Sequence, residues 1–355
     1  MADCTTCSGG VDLGFVETVE GKLLKSHYFP SKVGGKPAWL SQSTFPGPVI
    51  CPLCQKPMIF LLQVYSPVET KDEAFHRTLF VFLCRDVLCC KKNNSDNFLV
   101  LRSQLPRDND FYSFEPPDDE SADEPVPASW SRDVCVVCGA HAPKKCGKCH
   151  VMSYCSKQHQ ICDWKQGHKS QCSGDVNKVI EPLKDHHVLF PEFELVIEPE
   201  NSSEESEKGE KEKMNDYRNF LKSKAANNMV GSSDMDDLDK MAASSADGDK
   251  LFMKFREKIS EEPEQVLRYD KGQEPIWVSS ENIPTETDVP PCVCGAPRQF
   301  EFQVLPQLLN HLDLDSLGPV LTGECFVSTP VLKVVVLETN TEKSLYGNRT
   351  FQVQI

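Results

Sequence analysis

The sequence predicts an α+β fold that is mostly β. It reads as one duplicated β unit made of N- and C-terminal halves, with a zinc finger and an acidic disordered segment inserted between them. Three observations lead there. Eight cysteines and histidines fall in four pairs between Cys135 and Cys172. Short aromatic and β-branched runs bounded by turn residues dominate residues 11–116. Two blocks of residues near the start recur, in order, near the end.

Residues 1–116 form the N-terminal half. The first ten are small and polar, and Cys4 and Cys7, with no partner pair nearby, read as free thiols. Further on, Phe60-Leu61-Leu62-Gln63-Val64-Tyr65 and Thr78-Leu79-Phe80-Val81-Phe82-Leu83 are apolar runs whose composition favours strands over a buried helix. Pro30-Ser31, Gly34-Gly35 and Pro46-Gly47-Pro48 punctuate the loops. Cys51-x2-Cys54 precedes the first run, and Cys84, Cys89 and Cys90 follow the second. Cysteine pairs at the ends of a hairpin make a zinc-ribbon arrangement. The expected ligands are Cys51, Cys54, Cys84 and Cys89, with Cys90 the rival for the last place and buried structural thiols the alternative.

Residues 117–131 are rich in proline and acid and read as a linker. In 132–174 the pairs are Cys135-x2-Cys138, Cys146-x2-Cys149, Cys155-x3-His159 and His168-x3-Cys172. The apolar residues between them are too few for a packed core, so something else must supply folding energy. Zinc does this by taking four Cys or His ligands at tetrahedral corners. Eight ligands make two closed sites, and the expected pairing is interleaved: Cys135, Cys138, Cys155 and His159 hold one ion, and Cys146, Cys149, His168 and Cys172 the other. A disulfide framework is disfavoured by the C-x2-C spacing and the interspersed histidines. Neither set leaves an open coordination position, so both zincs read as structural. Cys162 falls outside the spacing and reads as a bystander thiol.

Residues 175–200 connect onward through a strand, since Leu189 to Ile197 alternates in polarity. Residues 201–249 are rich in Glu, Lys, Ser and Asp, with few aromatics. Such a stretch cannot bury enough apolar surface to offset its conformational entropy and is expected to be disordered. Residues 250–318 hold a helix, marked by Leu251, Phe252, Phe255 and Ile259, and the C-terminal half. Glu264 to Tyr269 is expected to continue the helix past Pro263.

The repeat defines that C-terminal half. Pro37-Ala38-Trp39-Leu40, followed by Pro46, matches Pro275-Ile276-Trp277-Val278, followed by Pro284. Cys54, Pro57, Phe60, Gln63 and Val64 then match Cys294, Pro297, Phe300, Gln303 and Val304, with a slip of two residues between the blocks. Cys292 stands in for Cys51, in a C-x-C spacing.

The finger resembles the MYND zinc finger, including Tyr154-Cys155-Ser156, His159-Gln160 and Asp163-Trp164. The sixth ligand of that finger is usually Cys, and His159 stands there instead. Beyond the finger the chain resembles the programmed cell death protein 2 family. The residues that carry this are Phe29 to Gly35 with Pro37 to Leu40, Phe60 to Tyr65, Gln104 to Arg107 with Asn109 to Tyr112, Leu189 to Glu194, and Pro263 to Tyr269. The likeness runs over 12–317. Members of the family continue with further strands and a second cysteine pair, whereas residues 319–355 hold only Cys325 and read as a divergent tail. Cys292 and Cys294 then lack the two ligands they would be expected to meet.

What the resemblance implies is an escort for a newly made small-subunit ribosomal protein, supporting assembly of the 40S ribosomal subunit, with an association to cell death (apoptosis) carried by the family name. A basic ribosomal client suits the composition. Over 355 residues the net charge is −15, and the pI is near 5.1, which favours a basic protein partner and argues against direct nucleic-acid binding. An adaptor recruiting transcriptional corepressors, or acting in cell-death and proliferation control, is the alternative. An enzyme is not expected: no SET-type cofactor motif, phosphate loop or acid/base pair stands out. No signal peptide and no membrane-length apolar run is read, and 17 cysteines then point to metal in a reducing compartment, cytoplasmic and nuclear.

Overall fold

In a computed structural model the described residues are 10–41, 49–91, 95–115, 134–173, 183, 186–200, 250–278, 283–285, 289, 291, 295, 297–313, 334–339 and 353–354. The strands of the N-terminal half are β1 (Asp12–Glu17), β2 (Lys32–Val33), β3 (Ile59–Tyr65), β4 (His76–Leu83) and β5 (Phe98–Leu105). The finger adds β6 (Lys144–Lys145) and β7 (Ser153–Tyr154). Then come β8 (Phe193–Pro199), β9 (Leu267–Tyr269), β10 (Arg298–Val304), β11 (Val334–Thr339) and β12 (Val353–Gln354). Ten of them share one sheet in the order β12-β11-β10-β9-β1-β8-β2-β3-β4-β5. β12 also approaches β5, the opposite end of that order, so the sheet curls round on itself. The chain is therefore mostly β.

The two apolar runs become β3 and β4, paired antiparallel, and β4 pairs antiparallel with β5 from His76↔Leu105 to Leu83↔Phe98. Every residue of β4 and all but Tyr65 of β3 is buried. Continuous runs replace polar alternation because both faces of these strands are covered. Each fully buried Leu or Phe there contributes about 1.5–3 kcal/mol relative to exposure.

One face carries the loop that precedes β3. The Trp39 ring packs on Phe80 and Phe82, with centroids 4.7 and 5.8 Å away. The buried Gln63 amide fixes the same loop: it donates to the Pro30 carbonyl at 2.8 Å and accepts from the Ala38 N–H at 2.9 Å. Gly34 takes a left-handed φ of 66°, and a Cβ there would lie 1.8 Å from the Pro191 carbonyl oxygen. Only glycine permits that approach, which seats the segment leading into β8.

Another part of the core holds a polar network that joins the N- and C-terminal halves. Arg77 on β4 donates to Glu301 on β10 at 2.8 Å, with both side chains almost fully buried. Arg77 also donates to the Ser66 carbonyl and hydroxyl at 3.1 and 3.0 Å. The Tyr269 hydroxyl donates to Glu301 at 2.5 Å and lies 2.6 Å from the Ser66 hydroxyl. Burial, then the Glu301 charge, pushes the Tyr269 phenol up, so it remains a donor. β3 and β10 each carry an irregularity in pairing: between Phe60 and Leu62 on β3, and between Phe300 and Phe302 on β10.

Two expectations change. Glu264 to Tyr269 does not continue the helix, which spans 250–261. Past Pro263 the chain turns and enters β9, which pairs with β10, while the Val266 N–H donates to the Gly14 carbonyl. Pairing with distant strands outweighs the local apolar spacing. The divergent tail, read as lacking the further strands of the family, contributes β11, paired antiparallel with β10 from Arg298↔Thr339 to Val304↔Val334. The linker at 117–131, the acidic segment 201–249, Cys4, Cys7, Cys292, Cys294 and Cys325 lie outside the described residues.

The chain divides into two compact units. One holds Leu13–Ile197, Pro263–Pro275 and Pro284–Ile355, which contain nearly all of the sheet and the finger. The other holds Met1–Asp12, Glu198–Glu262 and Ile276–Ile283, whose main described element is the 250–261 helix. No helix among the described residues is long and apolar enough to cross a membrane.

Candidate metal centres

Among the described residues, the Cys-x2-Cys pairs that begin at Cys51, Cys135 and Cys146 share one local turn. The N–H four residues after the first cysteine donates back to its carbonyl: Gln55 to Cys51 at 2.9 Å, Gly139 to Cys135 at 2.8 Å and His150 to Cys146 at 2.9 Å. Those three residues have φ of 59°, 71° and 56°. A left-handed residue directly after the second cysteine curls the turn so that both sulfurs point to one spot. Gly295, which follows Cys294 in the sequence, has φ 82°.

The structure brings together three sets of four ligands: Cys51, Cys54, Cys84 and Cys89; Cys135, Cys138, Cys155 and His159; Cys146, Cys149, His168 and Cys172. Within each set all ligand atoms lie within 4.8 Å of one another. The Sγ–Sγ distances are 3.8 Å for Cys51–Cys89, 3.5 Å for Cys54–Cys84, 3.6 Å for Cys138–Cys155 and 3.7 Å for Cys146–Cys172. Zinc–sulfur bonds of about 2.3 Å to tetrahedral corners put sulfurs about 3.8 Å apart, whereas a disulfide needs about 2.05 Å. The residues therefore fit zinc and not disulfides. His159 faces its set through Nδ1, 3.6 Å from Cys135 Sγ, and His168 through Nε2, 3.7 Å from Cys149 Sγ. Cys90 stays outside the first set and takes a hydrogen bond from the Asn97 amide at 3.6 Å. Cys162 joins no set.

The thiols of each set titrate unequally. Hydrogen bonds from Cys138 and Cys155 lower Cys135, and the shared contact with Cys135, then Cys155 and burial, pushes Cys138 well up. At Cys146 burial opposes ionisation, but the Cys149 N–H, the His168 ring and the Lys148 N–H outweigh it and hold the thiol to about 6. At Cys54 burial is likewise outweighed, by the Lys56 N–H and the neighbouring thiols, whereas burial raises Cys89 to about 12. One thiol in each set is favoured as thiolate while neighbours resist a second negative charge. A divalent cation removes that conflict by drawing off all the protons.

Further side chains hold the ligands in place, and ligand spacing in the sequence does not reveal them. Asp86 accepts from the Leu88 N–H at 3.1 Å and so caps the turn that carries Cys89, while its own N–H points to Cys84 Sγ at 3.4 Å. Ser156 caps helix α1 (Lys157–Asp163), accepting from the His159 N–H. The buried Asp163 takes the Tyr154 hydroxyl at 2.6 Å and the His186 ring at 2.7 Å. The sequence signal was present in Tyr154 and Asp163 but not in His186.

The two finger sets differ in their surroundings. Cys135, Val137, Cys138, Ala140, Ala142 and Cys155 belong to the same apolar core as Trp39, Phe80 and Phe82. The Trp39 indole N–H donates to the Gly139 carbonyl at 2.8 Å, and the Lys36 ammonium to the Val136 carbonyl at 2.7 Å. Cys146, Cys149, Met152, Tyr154 and Cys172 form a separate small cluster. The first set is thus built into the β core, and the second stands outside it.

Comparison with known proteins agrees with this layout. The N-terminal domain of programmed cell death protein 2 matches residues 10–119, its C-terminal putative domain residues 249–344, and the MYND finger residues 135–172. Programmed cell death protein 2 of Mus musculus is 47% identical over 316 residues, covering 87% of this chain and 88% of the relative. That of Bos taurus is 45% identical over 318 residues, covering 88% of each. A more distant relative, probable 20S rRNA accumulation protein 4 of Schizosaccharomyces pombe, is 32% identical over 90 residues, 22% of this chain and 23% of the relative. No solved structure matches. With both terminal domains matched in order around the finger, and close to half of the residues shared with mammalian relatives along most of their length, the chain belongs to the programmed cell death protein 2 family.

Proposed function

We propose that the protein is a non-catalytic, zinc-stapled escort for a newly made, basic small-subunit ribosomal protein, acting in the cytoplasm and nucleus in support of 40S assembly. The observation that carries this is the Schizosaccharomyces pombe relative, whose name ties it to the accumulation of a ribosomal RNA. The physical character of the chain supports it. A net charge of −15 attracts a cation-rich partner. A curled sheet tied by metal offers a rigid surface to an extended segment. Four-ligand Cys/His sets leave no position for a substrate and suit structural zinc, three ions in all.

We also infer that the N- and C-terminal halves are copies of one ancestral β unit. Supporting this, Phe60 and Leu62 on β3 and Phe300 and Phe302 on β10 bracket the pairing irregularity of their strands at matching positions of the sequence repeat.

The escort reading is tested by native purification of the zinc-loaded protein from cells during active ribosome synthesis, followed by mass spectrometry. A stoichiometric small-subunit ribosomal protein is expected. Its complex should form more slowly as salt rises, because exposed charges are screened within about 10 Å at 0.1 M. Recovery of chromatin factors in place of ribosomal protein, or unchanged 40S levels on depletion, would overturn it.

A further inference from the structure

The whole-chain charge, which argues against nucleic acid, averages two unlike parts. Between Val134 and Ser173 the finger carries six lysines, no arginine and one acid. Lys144, Lys145, Lys148, Lys157, Lys165 and Lys169 are all exposed. The one acid, Asp163, is buried at 2% exposure and satisfied by Tyr154 and His186. The ligand thiolates are buried, and two zinc ions would offset most of their charge. The charged side chains that the finger presents to solvent are therefore all cationic, within a chain whose net charge is −15.

The elements fix these lysines on a rigid frame. Lys144 and Lys145 lie on β6, paired with β7. Lys148 lies in the second cysteine turn and donates to the Cys172 carbonyl at 2.9 Å. Lys157 opens α1, Lys165 lies in the π-helical stretch Trp164–His168, and Lys169 opens α2 (Lys169–Gln171).

A basic ribosomal client is repelled by such a surface, so it is not the partner of this face. We propose that the exposed lysine surface of the finger is a docking site for single-stranded RNA. Lysine heads are point charges that bind phosphates without the planar fork by which arginine grips one carboxylate or phosphate, so they suit a ligand of dense, repeated charge more than specific recognition of a single group. An acidic peptide would also compete with the chain's own acidic residues, such as Asp118, Asp119, Glu120, Asp123 and Glu124, which precede the finger in the same polypeptide. An RNA strand overcomes that competition by its dense charge and by release of condensed counterions. The inference stands apart from the escort reading, since RNA binding is measured with no client present.

The test uses the full-length zinc-loaded chain and fluorescence anisotropy of a labelled single-stranded RNA of about 20 nucleotides, longer than a typical single-strand site. Poly-glutamate of equal charge is the competitor. The variant replaces Lys144, Lys157, Lys165 and Lys169 by Gln, sparing Lys148 because of its contact with Cys172. Zinc content by native mass spectrometry should be unchanged and shows that the variant has folded. We expect saturable binding to the wild type at about 50 mM salt, at least tenfold weaker in the variant. Each phosphate neutralised contributes about −0.7 to the slope of log affinity against log salt, so losing four contacts should flatten that slope by about 3. Absence of binding by the wild type, equal binding by the variant, or displacement of RNA by poly-glutamate at matched charge would each overturn the assignment. If Lys→Gln disturbs zinc content, the charge-preserving Lys→Arg variant at the same positions should bind at least as well as the wild type, and failure to do so sinks the proposal.

Discussion

Replacing Arg77 by Met is expected to destabilise the protein strongly, because it removes one member of a buried ion pair. Arg77 and Glu301 are 1% and 0% exposed and paired at 2.8 Å. Without the guanidinium, buried Glu301 loses the cation that faces it and relies on neutral donors such as the Tyr269 hydroxyl. Leaving one member of a buried pair uncompensated costs about 3–5 kcal/mol, a large share of the roughly 5–15 kcal/mol that holds a folded protein. The unfolding midpoint should fall by roughly 10 °C on the scaling for larger domains. Glu301→Leu alone should cost a similar amount, because the buried Arg77 guanidinium then loses the carboxylate it donates to at 2.8 Å. The double variant, apolar at both positions, should lie within about 1 kcal/mol of wild type. Urea unfolding of the zinc-loaded chain, followed by tryptophan fluorescence, measures all four corners of the cycle. If Arg77→Met costs under about 1 kcal/mol, or if the two single effects simply add, the pair does not tie β4 to β10 and the reasoning is wrong.

Three further outcomes are expected. Gly139→Ala places a Cβ 2.9 Å from Lys36 Cβ in a left-handed turn at φ 71°; it should cost about 1–3 kcal/mol and raise hydrogen exchange in the finger and the Trp39 loop together, whereas exchange confined to the finger would argue against shared packing. Cys135→Ala should destabilise the β core as well as the finger, since its set lies in that core, while Cys146→Ala should lower the zinc count by one and leave the core intact; equal effects on the core would refute the distinction. Burial, with Arg107 nearby, holds His76 to about 4 against an ordinary value of 6.5. Its stabilising contribution is then full above about pH 6.5 and fades as pH falls toward 4, because the unfolded chain binds the extra proton. His76→Gln should flatten stability against pH in that window, and an unchanged slope would remove His76 from the account.

The finger was legible because its determinants are local. Ligand spacing alone pairs Cys135 with Cys138 and Cys146 with Cys149, and eight ligands in one short stretch allow few pairings. β3 and β4 were legible because both faces are buried, which leaves uninterrupted apolar runs. What escaped depends on distant partners. β9 follows Pro263 with an apolar spacing that also suits a helix, and only its pairing with β10 makes it a strand. Arg77 and Glu301 stand 224 residues apart, so neither announces the other. The nearest signal is local: Glu301 lies between Phe300 and Phe302, and Arg77 stands two residues before the apolar run Leu79 to Leu83. A charge in such a position must find a counter-charge or unfold its strand. The rival ligands Cys89 and Cys90 could not be separated by spacing, and a single 3₁₀ turn over Val87–Cys89, capped by Asp86, turns one of the two sulfurs inward.

The duplication reading gives the Arg77–Glu301 pair a second role. At the irregular position of its strand, β3 carries Leu61 and β10 carries Glu301, each 0% exposed. If the two halves descend from one unit, each retains surfaces able to pair with a copy of itself as well as with the other half. An apolar residue at both positions would not distinguish these pairings. With Glu301 in one half and Arg77 in the other, pairing of like with like buries two acids or two bases together, while pairing of unlike halves neutralises both. Buried ion pairs add little net stability yet can select among arrangements of similar energy. The doubly apolar variant, Arg77→Met with Glu301→Leu, should therefore remain about as stable as wild type but form dimers and larger species as concentration rises, by exchange of halves between chains. Sedimentation equilibrium reads this directly. A double variant that stays monomeric at every concentration where wild type does would show that the pair stabilises the core without selecting the partner.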